Sequence, residues 1–229
     1  MYRPHTAVAL AALLALGPAT SAPAAPILID DFSIPTVAAG GVASGLPLTT
    51  SLGGGITRTI TASGTFTDAS TFQINVPANT FTLNTATGQT ITITMEYTLS
   101  TPISISANST IEFNVLSYDL GPFNIQLQLF SGMSTLYTQA VTLPPPSPSP
   151  GSAFVQFGPF GPLANVDKIV LTFNNSGTPR TDLDFRIGGD GGGIRLNDDL
   201  PEPGTLASFA LLGLLGGWIV RRRMRQTNG

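Results

Sequence analysis

The chain of 229 residues contains no cysteine, which excludes disulfides, thiolate metal sites and a cysteine nucleophile. It holds one histidine, His5, near the N-terminus. The body therefore has no Ser-His-Asp triad, no imidazole general base and no all-histidine zinc site. Charge is scarce too: Asp, Glu, Lys and Arg make up 10% of the chain, against a usual ~25%. The formal net charge is −3, which argues against a nucleic-acid partner. The single tryptophan, Trp218, lies near the C-terminus, so the body lacks the side chain that stacks best on a sugar ring. No stretch of ten or more residues in the body has helical apolar periodicity.

What the sequence has instead is turns and alternation. Glycine (25) and proline (19) are frequent, and Ser and Thr fill much of the rest, which favours short strands over long helices. Phe123, Ile125, Leu127 and Leu129 alternate with Asn124, Gln126 and Gln128, the period of a half-buried strand. Ile91, Ile93, Met95 and Tyr97 alternate in the same way with Thr92, Thr94 and Glu96. The same reading applies to 72–76 and 111–115, with 168–173 more continuously apolar. Further strands are expected at 28–33, 56–61, 135–142, 153–157, 181–187 and 193–196, eleven in all. Each sheet so formed is apolar on one face and must bury it on another. The expected fold is all-β, an antiparallel two-sheet sandwich of jelly-roll type spanning 25–199. The proline-rich run 144–150 is read as a loop inside this domain, joining strands of one sheet system. Too few residues follow it for a second core.

The two ends have a different character. After Arg3, residues 7–16 form a short apolar run stopped by Pro18. This is the layout of a secretory signal peptide, expected to span 1–24. Ala22-Pro23-Ala24 has the small-x-small form, which puts cleavage by signal peptidase after Ala24. At the other end stand Pro201-Glu202-Pro203, an uncharged apolar segment at 205–220, and Arg221, Arg222, Arg223 and Arg225. Sixteen residues of helix reach ~24 Å, enough for a ~30 Å hydrocarbon core if the arginines snorkel. The arginines, by the positive-inside rule, keep that end in the cytoplasm and the body outside. Pro201 and Pro203 hold the segment before the helix extended.

These three parts in this order resemble the PEP-CTERM sorting signal. The resemblance implies recognition by an exosortase, a membrane-embedded enzyme that cuts near the motif. It also implies a place in the envelope or matrix of a bacterium that makes exopolysaccharide or biofilm. Catalysis would then belong to the exosortase, with this chain its substrate. Ile27–Ser33, Val166–Phe173 and Asp182–Ile187 are similar to the first and last strands of jelly-roll domains that occur with this tail.

No enzyme is expected in the body. Glu96 and Glu112 are its only glutamates, and both fall on the polar side of their strands, where they could share a sheet face. Asp30 and Asp31 near the first strand, with Asp182, Asp184 and Asp190 near the last, are candidate calcium ligands; no other cofactor is expected. The first functional expectation is an exported structural or interaction protein. The alternative is a carbohydrate-binding module held at the cell surface, with exopolysaccharide as its partner.

Overall fold

Alternation writes most of the architecture. The computed structural model describes residues 26–38, 47–64, 71–74, 79–85, 89–119, 122–174, 183–188 and 192–197. In chain order their strands are β1 (Ile27–Asp30), β2 (Thr36–Ala38), β3 (Leu48–Gly53), β4 (Ile56–Gly64) and β5 (Thr71–Ile74). Then come β6 (Thr80–Thr85), β7 (Ile91–Ile105), β8 (Thr110–Tyr118), β9 (Phe123–Ser131) and β10 (Ser134–Leu143). β11 (Gly151–Phe157), β12 (Leu163–Asn174), β13 (Leu183–Gly188) and β14 (Ile194–Asn197) complete them. There is no helix among the described residues. The strands lie within one compact unit, Ala25–Asp199. The expected leader 1–24 and tail 200–229 lie outside the described residues.

Every pairing is antiparallel. β10-β9-β12-β7-β4-β3 form a six-stranded sheet. An eight-stranded sheet runs β1-β14-β8-β13-β6-β5-β2, with β11 added on β8. The first strand, β1, pairs with the last, β14. Three strands, β2, β3 and β6, were not anticipated from the sequence. The first has three residues, and the second is half-buried and dominated by small polar side chains.

β13 and β14 are two halves of one line. Phe185 pairs with Tyr118 and Leu196 with Ile111, so both run along the same side of β8. Across that line, β6 pairs with β13 and β1 with β14. The sheet is therefore split where the chain leaves and re-enters between Gly188 and Gly193. Gly188 has φ +105°, and a Cβ there would run into the carbonyl oxygen of Asn79. Only glycine lets the backbones approach so closely in that conformation. Asn79 and Phe32, on the other side of the split, have φ of 58° and 57°.

The chain crosses repeatedly between sheets, and the loop 144–150 is one such crossing. It joins β10 of the smaller sheet to β11 of the larger, both within the one unit Ala25–Asp199. The inward face of β9 is Phe123, Ile125, Leu127 and Leu129, all fully buried, as their alternation predicts. Phe173 on β12 binds the two layers together. Its ring lies 5.8 Å from Phe81, 5.7 Å from Phe185 and 6.2 Å from Phe113, all on the opposite sheet.

Phe173→Ala should cost about 3–5 kcal/mol and Leu127→Ala about 2–5 kcal/mol, because each leaves a cavity between the sheets. Gln126→Ala, on the outer side of β9, should stay within about 0.5 kcal/mol. Denaturant unfolding measures all three; equal losses at Leu127 and Gln126 would refute the facing assignment.

Candidate functional site

Strand β4 places Ile56, Arg58 and Ile60 on one side by period two, and that side is the core. Arg58 is thus fully buried in a position that an aliphatic residue would normally take. A buried guanidinium is tolerated only when paired and hydrogen-bonded. Its Nη1 donates to Asp30 Oδ2 at 2.6 Å, and its Nη2 donates to the Ile34 carbonyl at 3.1 Å. Asp30 is reached because β1 ends there and turns inward: its Oδ1 accepts the Phe32 N–H at 2.8 Å, closing an Asx turn. Tyr97 on β7 completes the group, its hydroxyl donating to Asp30 Oδ2 at 3.0 Å.

Burial pushes the Asp30 carboxyl above its ordinary range, opposed by the charge and hydrogen bond of Arg58 and by the donors of Phe32 and Tyr97. Burial likewise holds the Tyr97 phenol well above its ordinary value, and the adjoining Asp30 charge adds to the effect. The group is buried, and because Asp30 belongs to the larger sheet while Arg58 and Tyr97 belong to the smaller, it ties the two sheets together. Beside it, a recess of about 260 Å³ opens between the β1–β2 connection and the β3–β4 turn, lined in part by Asp31, Ser33, Gly53 and Gly54.

Of the acidic candidates, Asp30, Asp31 and Asp184 lie among the described residues. The oxygens of Asp30 are taken up by Phe32, Arg58 and Tyr97. Asp31 accepts the Ser33 N–H at 2.9 Å, and the hydrogen bonds from Ser33 hold its carboxyl below the usual value. Asp184 is exposed and pairs with Asn84 at the end of β13 away from the split. Asp182 and Asp190 lie outside the described residues. Among the described residues no three His, Cys, Asp or Glu side chains form a group that could hold a metal ion. Glu96 and Glu112 do not share a face: β7 puts Glu96 on the smaller sheet and β8 puts Glu112 on the larger. Glu96 instead lies 3.4 Å from Lys168 Nζ.

Arg58 is the residue that sequence reasoning passed over. Its signal was present, an arginine in register with Ile56 and Ile60, and such a residue demands a buried partner.

The outer faces of the two sheets differ. The larger sheet carries Glu112, Asp184, Arg186 and Arg195, together with the exposed Phe154. On the smaller sheet, Thr61, Thr94, Thr172 and Gln126 stand side by side across four strands. Beside that row run Ser63, Thr92, Asn174, Asn124 and Thr142.

An all-β body followed by a proline-flanked acidic motif, an apolar run and a basic end defines a protein with a C-terminal sorting tail. Residues 199–223 match the family model of the PEP-CTERM protein-sorting motif. The chain carries that motif, and with it the mark of an exported protein that is anchored and then processed. No curated protein matches the chain.

Among solved structures, TmCBM61 in complex with β-1,4-galactotriose is 11% identical with a TM-score of 0.38, covering 61% of this chain and 88% of that one. A CBM4 structure is 10% identical with a TM-score of 0.37, covering 73% and 96%. The family 11 carbohydrate-binding module from Clostridium thermocellum, in complex with a β-1,3-1,4-mixed-linked tetrasaccharide, is 12% identical with a TM-score of 0.30, covering 72% and 99%. Likeness at these values carries no inference about a ligand of this chain.

Arg58→Met should destabilise the body by about 3–5 kcal/mol, because it strands a buried carboxyl. Arg58→Met with Asp30→Asn should recover most of that loss, since an amide oxygen still accepts the Phe32 N–H. Denaturant unfolding that finds the double variant no better than the single would refute the pairing. Tyr97 gives a pH test. Its phenol ionises only on unfolding, so the unfolded chain binds fewer protons above pH ~10 and stability falls as pH rises past that point. Tyr97→Phe should lose about 1 kcal/mol at neutral pH yet show a shallower alkaline decline, read from melting temperatures across that range.

Proposed function

We propose that this is an exported, non-catalytic structural or interaction protein of the cell envelope or extracellular matrix, in an exopolysaccharide or biofilm setting. The observation that carries the reading is the PEP-CTERM motif at 199–223. In this reading signal peptidase removes residues 1–24. The segment 205–220 then halts in the membrane as a helix, with Arg221, Arg222, Arg223 and Arg225 held in the cytoplasm and the β body outside. An exosortase recognises Pro201-Glu202-Pro203, whose prolines present an extended peptide to its cleft. Processing frees the body from its anchor. The repeated crossing between sheets supports a jelly-roll-like reading of the body.

Each part of the tail has a separable role, so each can be removed separately. In a host with an exosortase, replacing Pro201, Glu202 and Pro203 by alanine should leave an uncleaved, membrane-bound precursor. Replacing the four arginines should instead release full-length protein or mix its topology. The size and membrane fraction of a body-tagged chain, compared with a strain lacking the exosortase, measure this. Identical full-length, membrane-retained bands for wild type and the motif variant would refute the sorting role and leave a permanently tethered surface domain.

A further inference from the structure

Antiparallel pairing sets neighbouring strands ~4.8 Å apart and same-face residues ~6.8 Å apart along each strand. On the outer face of the six-stranded sheet, most of that lattice is hydroxyls and amides, with Val170 and Phe130 at one end beside Glu96 and Lys168. Thr57, Thr59 and Thr61 project from β4, and Thr92, Thr94 and Thr98 from β7 beside them. Glutamines and asparagines of β9 extend the field through Thr172 and Asn174 of β12. Several of these groups already hold one another: Thr142 Oγ1 donates to Asn124 Oδ1 at 2.6 Å, and the Thr49 and Thr59 hydroxyls lie 3.2 Å apart. Such cross-bonds reduce the rotamer freedom that a ligand would otherwise have to freeze. The charges within the lattice, Glu96 and Lys168, face each other at 3.4 Å and cancel.

We infer that the Thr/Asn/Gln lattice on the outer face of the six-stranded sheet is a binding platform for an uncharged, hydroxyl-rich polysaccharide strand. The inference rests on the proposed place of the protein in a matrix and names the matrix component it touches. Charge complementarity selects the occupant. A self-neutralised face gives an acidic polymer or a nucleic acid no counter-charge, while every hydroxyl and amide on it both donates and accepts. A sugar hydroxyl does the same, so a neutral polysaccharide can exchange its water for the lattice without leaving a charge unpaired. β-Branched threonines have few rotamers, which keeps the donor pattern fixed. The larger sheet, with four charged side chains outward (Glu112, Asp184, Arg186 and Arg195), is the built-in comparison.

The test uses the full chain purified in detergent, run through native gels containing a β-glucan, a galactomannan, a xylan or alginate. At least one of the three neutral polymers should retard it, and raised salt should leave the retardation unchanged, because no ion pair is involved. Combining Thr94→Ala, Thr172→Ala and Gln126→Ala should weaken the binding about tenfold or more. Thr94→Lys, checked for an unchanged melting temperature, should weaken it as well. Combining Glu112→Ala with Arg195→Ala on the other sheet should leave binding as it was. Retardation by alginate alone, by no polymer, or equally for wild type and both lattice variants would overturn the inference. Because sorting is read in cells and binding on purified protein, a chain that is processed but does not bind sinks only this inference. One that binds but is never processed sinks only the sorting role.

Discussion

The Arg58–Asp30 pair is the interaction on which the rest of the body depends. A sandwich needs only apolar faces to hold its sheets together, and Phe173 with its neighbours supplies that here. Apolar contact is non-directional, however, and leaves the offset of the layers loosely defined. A charged hydrogen bond of 2.6 Å from β4 to the last residue of β1 is directional. It places the end of β1 over one position of the opposite sheet, and Tyr97 on β7 bonds the same oxygen. Both donors come from the smaller sheet and the acceptor from the larger, so the group fixes an angle and an offset as well as a contact.

The split in the larger sheet follows from that tie. Because Asp30 must point inward, β1 cannot continue in line, and its turn puts Phe32 at positive φ. β6 takes up the same partner line beyond the break, starting at Thr80 opposite Gly188. Gly188 and Gly193, at the two edges of the split, have a steric reason to be glycine. A Cβ on Gly193 would sit 2.5 Å from the Asp30 carbonyl oxygen. The buried charge, the broken strand and the glycines are one feature seen at three places.

Much of this was legible. Alternation in 91–97 and 123–129 assigned each side chain to core or solvent, because a period of two is a local property of the strand. The neighbouring of first and last strands was anticipated too. What alternation does not encode is which sheet a strand joins. Glu96 and Glu112 were both rightly placed on polar sides, yet they ended on opposite faces of the sandwich. β6, with Phe81 and Leu83 inward, is as regular as the strands that were read, but it is short and sits among turn-forming residues. Asp30 was read with the acids near the last strand; its hydrogen-bond partners Arg58 and Tyr97 are 28 and 67 residues away. Arg58 was the clue that required no structure: a cation at a core position of a strand implies an anion brought to it by the fold.

The absence of cysteine fits this design. Small exported domains often depend on disulfides because their cores are too small. This body is larger, and at ~150 residues or more a domain buries roughly 70% of the surface its unfolded chain exposes. Burial can therefore supply the stability, and the buried Arg58–Asp30 pair adds direction at the cost of desolvating two charges. That leaves the outer surfaces free of a structural task. Charge on them is sparse and balanced: Arg195 stands opposite Glu112 on the larger sheet, and Glu96 lies 3.4 Å from Lys168 on the smaller, so neither face presents a net field.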